Sequence, residues 1–317
     1  MQTFGLFVPK EPAMHIDAMF AFAEGLHRRD IPFVMYPLEK EYRPCDVAVT
    51  FGIEKRRTGR GRMVGEIIAA HSVATAHYTR ELRKKCHLVI ERGFIHRDRY
   101  FMIGWGGLNG RAKYLNRFSP ANRWNQLEVP VAPWRADGEH IVLCGQVPWD
   151  ASVQHVDHVQ WCRETAKTLR QLTSRPIIFR PHPLAKDAVD MQGTGVDVIL
   201  SQADSLQEDM KNAWAVVTFS SNAGVEATLA GIPSFVCDEG AMGYSLLNKD
   251  LRRIESPLKP DRTQWLYDLA YTQWTLEEAA MGAPIAHLWE PQPISRRFKN
   301  AVSMLCRGGQ GVKLRAA

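Results

Sequence analysis

Short apolar runs alternate along the chain with longer stretches in which apolar residues recur every three or four positions. The runs at 3–8, 31–36 and 46–51 read as buried strands. Between the first two, residues 14–29 place apolar side chains at 16, 19, 20, 23 and 26, the spacing of one helix face. A further run at 88–90 ends in Glu91. Pro130 and Pro133 then break both patterns, so 129–139 is predicted as a linker. Beyond it the alternation restarts, with a strand at His140–Cys144, a helix at 155–172, a strand at 176–179 and a short one at 196–200. A short helix at 206–212 leads to a strand at 215–219, a helix from Ala223 closed by Gly231, and a strand at 234–237. The chain reads as helical after Asp261. This order predicts an α/β protein of two Rossmann-like, doubly wound units. The expected division is a first unit at 1–128, the linker at 129–139, a second unit at 140–284, and a C-terminal helix with a basic tail at 285–317. The tail is expected to be disordered from about Arg307.

Ligands bind to open sheets of this kind where the strands end, which selects the candidate chemistry. The first unit offers His15 and Asp17 after its first strand and Glu91 at the end of the 88–90 run, all placed to face the crevice that forms there. A capping or buried role for His15 and Asp17, and an ion pair of Glu91 with Arg92, are the competing readings. The second unit offers Gly145 and Gln146, then Arg180 and His182, then the turn Ser220-Ser221-Asn222 ahead of the helix that carries Glu226. Free N–H groups at a helix start bind phosphate, and the planar fork of arginine matches phosphate oxygens. Glu226, one turn into the helix, suits ribose hydroxyls. The plainer alternative is an ordinary well-capped βαβ unit.

A chain of 317 residues is long enough for two cores. No apolar run approaches the roughly 18 to 20 residues of a membrane span, and residues 1–20 lack a leader pattern. A cytoplasmic protein is therefore expected. The six cysteines show no C-x-x-C spacing and the eleven histidines no H-E-x-x-H, which argues against a zinc site or a disulfide framework. No D-x-D sequence stands at a strand end, so no metal requirement is expected. The net charge of +6 favours anionic partners. Lys55, Arg56, Arg57 and Arg60 crowd a glycine-containing loop, and Arg80, Arg83, Lys84 and Lys85 form a second cluster. Such loops track phosphate backbones, although many are only solvated faces. The glycine-dense GWGGLNGR stretch adds Trp105, Asn109 and Arg111 as acceptor contacts, with Trp105 able to stack on a base or sugar.

Three of these stretches follow one another in a specific order: Gln146-Val147-Pro148-Trp149-Asp150, Arg180-Pro181-His182-Pro183, and Ser220, Ser221, Glu226, Gly231 and Pro233. In them the second half resembles the two-domain GT-B glycosyltransferases, most closely the capsule polysaccharide sugar transferases. The first half resembles them only as a general α/β unit. The resemblance implies two units facing a central cleft and an inverting transfer from a nucleotide-diphosphate sugar, a UDP-sugar first, bound as co-substrate with no tightly held cofactor. It places Arg180 and His182 at the donor phosphates, Ser220, Ser221 and Asn222 at the helix start, Glu226 on ribose, and the base among Asp17, His15 and Glu91. The arginine-rich loop and the GWGGLNGR loop look closer to bacteriophage enzymes that glycosylate hydroxymethylated bases. The expected acceptor is accordingly a 5-hydroxymethylpyrimidine in duplex DNA, modified by a hexosyltransferase-like enzyme in the host cytoplasm. A polysaccharide or lipid-linked glycan is the alternative acceptor, and a non-catalytic nucleic-acid-binding protein of the same fold the second alternative.

Overall fold

A computed structural model describes residues 3–38, 43–53, 86–116 and 118–289. Two sheets organise it. The first has six strands in the order β11-β5-β4-β3-β1-β2, comprising β1 (Phe4–Val8), β2 (Phe33–Pro37), β3 (Val47–Phe51), β4 (Cys86–Arg92), β5 (Tyr100–Trp105) and β11 (Gln273–Thr275). The second has five in the order β10-β9-β6-β7-β8, comprising β6 (His140–Cys144), β7 (Ile177–Arg180), β8 (Ile199–Leu200), β9 (Ala213–Thr218) and β10 (Ser234–Val236). All pairs in the second sheet are parallel. In the first, β1 to β4 are parallel, while β5 runs antiparallel to both β4 and β11. The short connection after Arg92 enforces that reversal, because a parallel return needs a crossover of a dozen or more residues.

The strands are apolar on both faces because helices cover both sides. On the first sheet α1 (Ala13–Arg28) packs Met19, Phe22 and Leu26 onto Phe4, Leu6, Val47 and Leu88. Its inward stripe differs from the predicted one at Phe20, which is 55% exposed, while Phe22 takes the core position. Gly25 on the same face lets the backbone of α7 (Leu276–Ala280) come close, since a Cβ there would collide with the Ala279 carbonyl. On the second sheet α3 (His158–Leu172) covers Ile141, Leu143, Ile177 and Phe179. It starts later than the predicted position 155 because Asp157 caps it, its Oδ1 accepting the Gln160 N–H at 3.0 Å. Between β9 and β10 runs α5 (Ala223–Leu229); α2 (Asn122–Gln126), α4 (Leu206–Asp209), α6 (Thr263–Ala270) and α8 (Ala283–Trp289) complete the helices of the described residues.

The predicted linker has no regular structure and is laid along the second unit. Ala132 N–H donates to Leu229 O at 2.9 Å, and Arg135 N–H to Gly231 O at 2.7 Å. Gly231 adopts a left-handed φ of 75°, and a side chain there would strike the Pro133 carbonyl. The second unit ends before the predicted boundary at 284, because the chain has recrossed by Gln273–Thr275 and adds β11 to the first sheet. α7 and α8 then pack on the first core, with Trp274, Ile285 and Leu288 buried in it. Among the described residues no helix is long and apolar enough to cross a membrane.

Candidate active site

Each sheet has one point where successive strands depart in opposite directions, between β1 and β3 in the first and between β6 and β9 in the second. Crevices form there, and the candidate residues surround them. In the second unit Gln146 and Ser220, leaving β6 and β9, are both buried and bound to each other. Gln146 Oε1 accepts the Ser220 N–H at 2.8 Å, and its Nε2 donates to Ser220 Oγ at 3.3 Å and Ser152 Oγ at 3.2 Å. The Gln146 N–H in turn donates to Nε2 of buried His158 at 2.8 Å. These groups shape the crevice floor more than they offer free donors to it. Gly145 keeps the floor low, since its N–H reaches Arg180 O at 2.9 Å and a Cβ would press on the Phe179 ring at 3.1 Å.

Ser221 turns the chain into α5, its Oγ accepting the Ala223 N–H at 3.2 Å. Asn222 Nδ2 donates to Glu226 Oε1 at 3.1 Å and, across the gap between the units, to Phe94 O at 3.1 Å. Glu226 Oε2 accepts from Gln207 Nε2 at 3.1 Å. Each carboxylate oxygen retains a further lone pair for a ligand hydroxyl.

Arg180 is engaged in an ion pair. Its Nη1 donates to Asp209 at 2.6 Å, and to Ala203 O at 3.1 Å and Ser201 Oγ at 3.4 Å, with the paired side chains 14% and 5% exposed. It braces the tip of β7, where the buried Asp209 carboxylate requires a counter-charge. His182, on the loop that this brace holds, is better placed. Its Nδ1 accepts the Leu184 N–H at 3.1 Å, which leaves Nε2 as the protonated donor. Burial pulls its pKa below the ordinary histidine value; the Asp150 carboxylate opposes that and Arg97 reinforces it.

Asp150 and Arg97 mark where the two units meet. Glu91, at the end of β4, has its carboxyl pushed above the ordinary range chiefly by burial, opposed by the Arg92 N–H that it accepts at 2.9 Å. The Asp150 charge raises it further, while Arg97 and Arg92 lower it. A carboxyl from one unit therefore senses a carboxylate from the other. His15 stacks flat on Phe51, centroids 3.6 Å apart, with its pKa lowered by burial and then by Arg92. The exposed Asp17 sits farther along α1, on the side away from the core.

The GWGGLNGR stretch does not form the predicted stacking platform. Trp105 ends β5 and is 7% exposed, its ring 5.5 Å from that of Trp289 within the first core. The glycines instead let the stretch dock on the second unit. Gly110 N–H donates to Gly240 O at 2.9 Å, and any Cβ would strike the Ala241 and Glu239 carbonyls. Asn109 supports the turn with a φ of 50° and gives its carbonyl to Tyr114 Oη at 2.9 Å. Arg111 Nη2 holds Asp238 at 2.7 and 2.8 Å, its Nη1 pairs with Glu239, and His155 Nε2 joins Asp238 at 2.9 Å. Lys55, Arg56, Arg57 and Arg60, like the cluster at Arg80, lie outside the described residues.

Sequence reading passed over Asp150 and Arg97. Asp150 closes the Q-x-P-x-D stretch and stood in view as a motif letter. Arg97 had one signal, the three arginines of ERGFIHRDRY directly after a strand end. Among the described residues no three His, Cys, Asp or Glu side chains gather as a metal site.

No protein-family model and no curated protein matches the chain. Solved structures do. KpsC of Thermosulfurimonas dismutans, a beta Kdo 2,7 transferase, aligns over 89% of this chain and 98% of its own at 16% identity, with a TM-score of 0.50. A beta Kdo 2,4 transferase KpsC from the same organism covers 86% and 92% at 13% identity, with a TM-score of 0.49. MurG of Acinetobacter baumannii covers 96% and 99% at 10% identity, with a TM-score of 0.29. Two Rossmann-like units meeting at their strand ends, in the arrangement of the KpsC transferase, give this chain the GT-B fold.

Proposed function

We propose that the protein transfers a sugar from a nucleotide-activated donor to a hydroxyl of a glycan. The observation that carries this reading is the convergence of charged groups from both units: Glu91 of the first lies within charge range of Asp150 of the second, Arg97 of the first within range of His182 and Glu226, and Asn222 ties Glu226 to Phe94 of the first unit. The donor lies in the second crevice, with ribose hydroxyls on Glu226 and phosphate oxygens on Nε2–H of His182 and the Ser221 turn. The acceptor enters from the first unit. Glu91, a carboxyl held above its ordinary range by burial, takes the acceptor proton as the new glycosidic bond forms and the nucleotide leaves from the opposite face. That single displacement inverts the anomeric centre. Asp17, exposed on the side of α1 away from the core, and His15, stacked on Phe51, are left without the role.

A glycan acceptor is favoured over DNA by two observations. The base-stacking role given to Trp105 fails on its burial, and the similar fold named above belongs to a Kdo transferase. An acidic keto-sugar donor is therefore the first to try, with UDP-hexoses beside it. The test is a thermal-shift screen of uridine, cytidine and guanosine nucleotides, followed by labelled-sugar transfer to oligosaccharides and to hydroxymethylated duplex DNA. Stabilisation by one nucleotide class and labelling of glycan alone is expected. Labelled DNA with unlabelled glycan would overturn the acceptor assignment, and the absence of any nucleotide effect would overturn the donor site.

A further inference from the structure

The connection between β4 and β5, residues 93–99, is held from three directions although it is a short surface turn. Gln273, fully buried on β11, accepts the Phe94 N–H at 2.8 Å and the Ile95 N–H at 3.1 Å through Oε1, and donates to Ile95 O at 3.3 Å. His96, with a left-handed φ of 47°, ties its Nε2 to Leu127 O at 3.0 Å. Arg99 and Tyr100 N–H both return to His96 O, at 2.8 and 3.0 Å. From the second unit, Asn222 Nδ2 reaches Phe94 O while also holding Glu226. One side-chain nitrogen thus fixes the hairpin beside the carboxylate assigned to ribose. Arg97 stands at the tip of this rigid turn. Arg97 is exposed there, within charge range of carboxylates from both units, Glu226 and Glu91, with Arg92 adding like charge.

Resting on the transferase reading, we propose that Arg97 is a charge-stabilising residue contributed by the acceptor-side unit, which binds the phosphate adjoining the transferred sugar. Glu226 anchors the ribose and His182 meets the phosphate chain from the second unit, so a guanidinium between Glu226 and Glu91 lies along the line from ribose to acceptor. As the bond between the anomeric carbon and the phosphate oxygen breaks, its electron pair stays on that oxygen. Arg97 meets the added negative charge with N–H donors and transfers no proton itself, since the acceptor proton goes to Glu91. A rigid hairpin suits this role because preorganised donors need no reorientation when charge develops. The same placement makes the site complete only when both units are docked, since neither holds the phosphate from both sides alone.

The experiment compares wild type with Arg97→Gln and Arg97→Lys. Binding of UDP and CMP is measured beside uridine and cytidine, which lack phosphate, and turnover is measured with whichever donor the wild type uses. Arg97→Gln should weaken phosphate-bearing ligands at least tenfold and leave nucleosides unchanged, and should lower kcat by about 100-fold. Arg97→Lys should recover part of the binding but little of kcat, because a point charge does not reproduce the fork. Equal nucleotide binding and equal kcat in Arg97→Gln would overturn this inference while leaving the transferase reading intact. Equal loss of nucleoside and nucleotide binding would also overturn it, by showing a purely structural brace. Failure of the wild type to bind any of the four probes or to turn over any donor would overturn both.

Discussion

Replacing His158 with phenylalanine separates a packing role from a titrating one. The ring is 1% exposed and stacks on Trp161 with centroids 5.2 Å apart and planes 15° from parallel. Nε2 accepts the Gln146 N–H, so the neutral ring carries its proton on Nδ1, which is buried without a partner among the described residues. Burial drives its pKa from 6.5 to about 4, with Asp157 opposing. The unfolded ring gains a proton below 6.5, whereas the folded ring gains one only near 4. Stability is therefore lost as the pH falls through that window. At about 1.4 kcal/mol per pH unit, moving from pH 7 to pH 4.5 costs the wild type about 2 kcal/mol at this residue. Phenylalanine keeps the stacking and removes both the titration and the unpaired Nδ1–H, but it leaves the Gln146 N–H unaccepted, a loss of about 1–3 kcal/mol. The wild type should accordingly lead at pH 7, and its lead should shrink by about 2 kcal/mol at pH 4.5, or roughly 3 °C in Tm for a chain that melts as one unit. His87 and His287 are also held near 4 by burial, so both proteins weaken in acid and only their difference reports His158. Melting curves followed by near-UV circular dichroism at the two pH values measure it. A Tm difference that stays constant between them would refute the reasoning.

Four further outcomes are expected. Arg180→Met should cost about 3–5 kcal/mol in urea unfolding, because it strands the buried Asp209 charge; adding Asp209→Asn should restore much of that, and no loss in the single variant would contradict the brace. Glu91→Gln should lower kcat by about 100-fold or more while leaving nucleotide binding unchanged. In the wild type, kcat/KM should rise with pH through a value above the ordinary carboxylate range, since the base works deprotonated and burial raises its pKa; an acid limb at the ordinary value would count against it. Gly110→Ala should push the Gly104–Arg111 stretch off the Ala241 carbonyl, seen as faster proteolysis within it and reduced turnover at unchanged far-UV circular dichroism.

The strands were readable in the sequence because parallel strands covered on both faces are continuous apolar runs, as at Ile141–Leu143 and Ala215–Val217. The α1 stripe was readable only in part, since Phe20 and Phe22 are equally apolar and only packing against Phe4 and Leu88 decides between them. Gln273–Thr275 escaped because a three-residue strand inside a helical stretch has no period of its own, and its identity comes from pairing with β5. At the candidate site, the order of loops along the second unit matches the strand ends from which Gln146, His182 and Ser220 leave. The bonds of individual side chains did not follow from it. Arg180 and His182 are two residues apart in one motif, yet Asp209, far along the chain, captures the first and leaves the second to the cleft. Trp105 reads as exposed among glycines and is drawn into the core by Trp289.

The return of the backbone to complete the first sheet has a mechanical consequence. Two crossings of the backbone join the halves, one near Pro130 and one near Arg262, and together they act like a pair of door hinges. Swinging about the line through both is cheap, whereas sliding or twisting would stretch one of them. A polypeptide cut after residue 139 would lack the glutamine that receives the Phe94 and Ile95 amides and would bare the outer edge of β5. The halves should therefore not fold as separable pieces, and any opening that admits substrate is expected to be a rotation about a single axis.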